Sequence, residues 1–215
     1  MNARLKSQES PHSALVPSLR MCQNTSIMLA GEELVRIALE SNASSAAILD
    51  TSEIQFHEDF RKACEKNFCR KYDTNWMGPP AIGPITKLSK RAAAYRHGLL
   101  FQTIHRFSSN SEYIKGMFSA AGDHTKVFRE LVAKIRSACP DEEILPLSAG
   151  CCSYCERCAY LDKQPCRHPD QAASSVEAYG MNVIGLEKSA GLPYNNGKYT
   201  VTYVGLILFD KKEDK

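Results

Sequence analysis

Tyr199-Thr200-Val201-Thr202-Tyr203-Val204-Gly205-Leu206-Ile207-Leu208-Phe209 is the longest strand candidate in the chain. Its length places it at the centre of a sheet. Gly205 inside it marks a bulge or a close neighbour, because a strand glycine leaves room for one. Just before it, Asn196-Gly197 stands between Leu192-Pro193-Tyr194 and Tyr199-Thr200-Val201, the sequence signal of a C-terminal hairpin.

Working back from there, helical and extended patterns alternate. Leu34, Ile37, Ala38 and Ser41 share one helix face. Ala46 to Leu49 reads as a short buried strand, and Asp50-Thr51-Ser52 as a turn. Pro84 opens a helix carrying Leu88, Arg91, Ala92 and Tyr95, which Gly98 breaks. Leu99 to Phe107 is a strand with Leu99, Phe101, Thr103, His105 and Phe107 on one side; His105 there is read as a half-buried histidine. A helix runs from Glu112 through Val127, Phe128, Leu131 and Ile135 to a stop at Pro140. Ile144 to Leu147 is a strand. Pro169 and Asp170 open a helix with Ala172, Val176 and Tyr179, stopped by Gly180, and Val183-Ile184 is a short strand. These elements predict an α+β (or α/β) two-layer domain with a mixed sheet over 28–215. Residues 1–27, rich in Ser, Asn, Gln and Arg and without period, predict a disordered extension.

Composition narrows the class. Hydrophobic residues make up 43% and charged residues 24%, ordinary for a globular domain of 215 residues. A net charge of +3, with no basic stripe interleaved with aromatics, argues against nucleic acid. No apolar run reaches the length of a membrane helix, and Arg4 and Lys6 have no apolar core behind them. The expectation is a cytoplasmic chain.

Five of the nine cysteines lie between 151 and 166. Cys152, Cys155, Cys158 and Cys166 give C-x2-C-x2-C-x7-C, directly after the Ile144–Leu147 strand. A thiolate every third residue brings successive sulfurs to one side of a tight turn, and the fourth arrives from farther along. Four thiolates of this kind hold a [4Fe–4S] cluster. Zinc is the alternative, although structural zinc usually takes two separated C-x2-C pairs. An odd number of cysteines, with no secretory signal, favours metal or redox chemistry over a disulfide framework. Cys151 is read as a spare thiol. Arg157, Lys163, Arg167 and His168 would favour an anionic site, and the expected helix from Pro169 would point its positive end there. Against this, Glu156, Asp162 and Asp170 offset those cations.

Cys64 and Cys69 form an earlier C-x4-C, followed by Trp76-Met77-Gly78-Pro79-Pro80-Ala81-Ile82-Gly83, an irregular loop by its Gly and Pro content. Trp76, the only tryptophan, is either a pocket wall or a packed anchor. With Pro165-Cys166-Arg167-His168-Pro169 and Ser175-Val176-Glu177-Ala178-Tyr179-Gly180, these motifs from about Met28 to Phe209 resemble a bacterial and archaeal family of predicted metal-binding proteins found mainly in anaerobes. The resemblance implies a metal. The family commonly has cysteine where this chain has Gly78, so Cys64 and Cys69 are not expected to bind metal alone.

Three functions stay open at this point: a [4Fe–4S] electron-transfer protein with a redox partner protein, a cluster-dependent reductive enzyme, and a zinc-stabilised interaction module. No catalytic triad, phosphate loop or dinucleotide fingerprint is present to choose an enzyme class.

Overall fold

The computed structural model describes residues 27–212. The extension expected over 1–27 falls, but for Ile27, outside them, as does Cys22. Five strands form one open mixed sheet in the order β1-β2-β5-β3-β4: β1 (Ser45–Asp50), β2 (Tyr95–Arg106), β3 (Leu145–Ser148), β4 (Ser174–Ser175) and β5 (Thr200–Lys211). The helices are α1 (Ile27–Glu40), α2 (Glu58–Glu65), α3 (Ile85–Ala93), α4 (Asn110–Ala138) and α5 (Val183–Ser189). This is the expected α+β class with a mixed sheet. None of the described helices is long and apolar enough to cross a membrane.

β5 is central, as its length implied. It lies antiparallel to β2 from Thr200 opposite Arg106 to Lys211 opposite Tyr95, and antiparallel to β3 on its other edge. Period-two alternation sends side chains to two cores. Leu99, Phe101, Ile207 and Phe209 meet Leu34, Ile37 and Ala38 of α1 and Phe128, Leu131 and Ile135 of α4. Leu100, Val204, Leu206 and Leu208 meet Leu88 of α3, Leu186 of α5, and Val176, Tyr179 and Met181. Both faces are therefore covered, the second by short helices and tight turns.

Four sequence expectations are corrected. Gly98 lies inside β2, where a Cβ would come within 2.8 Å of Leu206 and 3.0 Å of Leu208. It admits neighbouring side chains and does not end the segment. No helix opens at Pro169. Ser174 and Ser175 instead pair parallel with Leu147 and Ser148, and the chain turns through Val176 to Met181 with Val176, Tyr179 and Met181 buried. Gly180 makes that turn at φ +76°, against Ile85. Val183 and Ile184 are helical, because Asn182 caps the Gly185 amide at 3.2 Å. The C-terminal hairpin is not formed. Pro193 has no N–H to offer a partner strand, and its carbonyl accepts from Gln102 Nε2 at 3.0 Å and Asn196 Nδ2 at 3.1 Å.

Two tests follow from the α4 side of the sheet. A Cβ on Gly205 would meet Phe101 ring carbons at 2.4 Å, in a ring that stacks between β5 and His124. Gly205→Ala should cost about 1–3 kcal/mol in urea unfolding, because a packed core resists added volume. Phe101→Leu in that background should recover part of it. His124 is buried, bonded to Thr103 Oγ1 at 2.9 Å, and burial, aided by His105, lowers its pKa from 6.5 to about 4. As pH falls, the unfolded chain takes the proton first, so stability drops between about pH 6.5 and 4, by roughly 3 kcal/mol in all. His124→Gln should flatten that part of the stability–pH curve; an unchanged slope would show that the histidine does not set it.

Candidate metal centre

β3 delivers the chain to the cysteine loop. Gly150, at φ +69°, turns it away from the sheet. From there Cys152, Cys155 and Cys158 are half-buried while Ser153, Tyr154, Glu156 and Arg157 between them are exposed. The three-residue spacing thus turns sulfur inward and polar side chains outward. A short 3-10 helix, Ala159–Asp162, follows with Ala159 buried beneath it. Lys163, at φ +54°, ends it and returns the chain to Cys166.

The loop is clamped from three directions. Trp76 Nε1 donates to the Gln164 carbonyl at 2.9 Å, and its ring meets Tyr160 edge-on at 5.0 Å. Tyr160 donates its hydroxyl to Asp73, and the Ser174 hydroxyl donates to the Met77 carbonyl at 2.8 Å. From α4, Arg129 donates to the Ser153 carbonyl at 2.8 Å and covers the Tyr154 ring, while Arg136 donates to the Asp170 carbonyl at 2.8 Å. Tyr154 in turn packs on His168, with ring centroids 4.7 Å apart. Trp76 is therefore both the anchor and the wall that the sequence left as alternatives.

All four cysteines of the motif, free as thiols, line one small apolar cavity of about 20 Å³ together with Trp76, Met77 and His168. Among the described residues, no three His, Cys, Asp or Glu side chains are already gathered around one ion position. The sulfurs share a wall and have not closed on a point. The donor set is nevertheless the right one: four thiols, no competing carboxylate in the lining, and apolar surroundings that exclude water. The void as it stands has room for about one water-sized group. A single ion would fit with the sulfurs drawn inward, and a four-iron cube would require the loop to widen.

The cations beside the loop are mostly committed elsewhere. Arg157 pairs with Asp162 at 2.7 Å on the exposed side, where each is more than half exposed; such a pair contributes little. Arg167 folds back onto the Arg157 carbonyl, which ties Cys158 to Cys166. The helix expected to aim its positive end at the site is absent.

The chain is similar over residues 47–209 to the model of the family described as "Predicted metal-binding protein (DUF2284)". The chain belongs to this family. No curated protein matches it, and no solved structure does. Membership agrees with the donor set above and extends over β1 to β5, cysteine loop included.

The early pair lies elsewhere. Cys64 is in the last turn of α2, which Arg61 ties to the carbonyls of Ala178 at 2.6 Å and Gly83 at 2.7 Å. Cys69 follows on the next turn, exposed. Burial pushes the Cys64 thiol up, with Arg61 pulling it back and Cys69 near enough to add to the rise. Burial likewise pushes Cys151 up, against Lys71, with Cys152 and Cys69 adding to it. Nothing in the sequence signals that Cys69 lies near Cys151, since α3, β2, α4 and β3 intervene. Gly78 is buried against Asn75, whose amide a Cβ would meet at 3.0 Å. Cys64 and Cys69 are not among the cysteines lining the cavity.

The Trp76 clamp is testable. Trp76→Phe keeps a ring and removes the donor, and should cost about 1 kcal/mol. Trp76→Ala should cost more and make the loop cysteines react faster with an aromatic disulfide reagent. Equal reactivity in wild type and Trp76→Ala would mean that the indole does not shield the thiols.

Proposed function

We propose that this protein carries one [4Fe–4S] cluster on the thiolates of Cys152, Cys155, Cys158 and Cys166 and serves in electron transfer. The observation that carries the reading is the common apolar cavity walled by those four cysteines and by no carboxylate. A bound cluster would supply one-electron transfer. The chain's own part is to hold four thiolates at one wall, to keep water from them with Trp76 and Met77, and to fix the loop through the Gln164 and Ser153 carbonyls. Tyr154, 37% exposed, and Leu161, 45% exposed, stand on the loop's outer side. A redox partner protein would approach there, beside Tyr154, which shares the cavity wall with the cysteines.

A structural zinc is the second reading. The small void favours it, because one ion needs less widening than a cube. The reductive-enzyme reading is favoured by a larger cavity that shares Trp76 with the cysteine cavity.

The test is anaerobic purification with metal and sulfide analysis. Iron and sulfide should each approach about four per chain in a brown protein. Serine in place of any one of the four cysteines should lose or destabilise the metal, since ligation and local folding are coupled; serine at Cys151, or at Cys64 and Cys69 together, should not. A colourless protein with one tightly held zinc would end the cluster reading and leave the interaction module. Loss of half the iron on removing Cys64 and Cys69 would show a second centre.

A further inference from the structure

β4 is only two residues long and covers only Leu147 and Ser148 of β3. Below that pairing, Ile144, Leu145 and Pro146 are left without a neighbouring strand on that edge, and they line a cavity of about 420 Å³. That volume lies in the range of small-molecule sites. The cavity shares Trp76, Met77 and Ala172 with the cysteine cavity, so one layer of side chains separates the two.

Its polar groups have one character. Arg91 comes from α3 and Arg136 from α4, helices packed on opposite faces of the sheet, and both reach this edge. Among the described residues neither forms an ion pair. Arg136 uses one N–H on the Asp170 carbonyl, which leaves the rest of its guanidinium fork available. Asp170 is the only acidic residue of the lining; Glu143, outside it, is near enough to Arg91 to feel its charge but forms its ion pair with Lys211. Ser174, its hydroxyl donated to the Met77 carbonyl, and Tyr179 also line it, and Arg91 lies beside Tyr179, opposing the rise that burial gives its phenol. The rest is apolar, chiefly Ile82, Ile144, Leu145 and Leu147.

We propose that this cavity binds a small organic carboxylate, its carboxyl group held by Arg91 and Arg136 and its apolar body lying against the Trp76–Met77 wall. Guanidinium groups recognise carboxylates through paired, charge-assisted hydrogen bonds, and the apolar floor selects a ligand with a hydrocarbon or aromatic body over a bare anion. The redox reading is needed only for such a ligand to be a substrate; its binding does not depend on a loaded cysteine site.

The experiment is calorimetric titration of the full chain, as purified, with benzoate and with hexanoate, using benzamide as the uncharged control. Trp76, the sole tryptophan, gives an independent fluorescence readout at the shared wall. Saturable one-site binding of a carboxylate is expected, with benzamide at least about tenfold weaker, a loss of the size that a charge-assisted hydrogen bond supplies. Arg91→Gln and Arg136→Gln should each weaken binding by about tenfold, with lysine at either position recovering part. Both arginines are at the surface, so unchanged thermal melting will separate lost binding from lost folding. Absence of saturable binding for both carboxylates at millimolar concentration overturns the proposal, as does equal affinity for benzamide or full affinity in both glutamine variants. Cys152→Ser separates the two ideas. Carboxylate binding retained in that variant upholds the cavity whatever the metal analysis shows, and wild type that holds iron but binds no carboxylate keeps the cluster reading alone.

Discussion

The antiparallel pairing of β2 with β5, continuous from His97 opposite Phe209 to Arg106 opposite Thr200, is the constraint on which the molecule rests. Its register decides which residues enter which core. Leu99 stands opposite Ile207 on the α1–α4 side, and Leu100 opposite Leu206 on the other. A slip of one residue would exchange the two faces and bring Phe101 against a leucine instead of Gly205. With the register fixed, β5 has one edge left, and β3 takes it. The cysteine loop is thereby attached to the central strand of the sheet by a strand of four residues.

What the sequence disclosed follows the range of the interaction responsible. Unambiguous patterns were readable: α1, α4, β5 and the short Ala46–Leu49 and Ile144–Leu147 strands match them, and the cysteine spacing locates the loop. Short segments of ambiguous pattern were not. Ala172, Val176 and Tyr179 have helical spacing, yet two serines pair with β3 and the apolar residues reach the core through a turn. Val183 and Ile184 favour a strand by propensity, and a single asparagine cap overrides them. Asn196-Gly197 carries hairpin chemistry, but the partner segment contains a proline whose carbonyl already serves two side chains. In the first case a strand distant in sequence decides the outcome; in the other two a local cap and a local proline do.

The same holds for the site. The four cysteines were legible because they are local. Their wall was not: Trp76 reaches Gln164 across 88 positions, and Asp73 reaches Tyr160 across 87. Arg91 and Arg136 sit on ordinary helical faces and announce nothing in the sequence. They acquire meaning only because β4 is too short to cover the edge toward which both extend.

That contrast between a local donor set and a distant wall has a consequence for the order of assembly. Cys152 to Cys166 span few enough residues to act as a chelator as soon as that segment exists, before β5 has been made. The indole that shelters them belongs to an earlier segment and cannot be pinned by Gln164 until the sheet has brought the two together, a slow step because it closes a long loop. A metal ion taken up early would meet solvent-exposed thiols, and maturation would consist of closing a lid of packed side chains over ligands already in place.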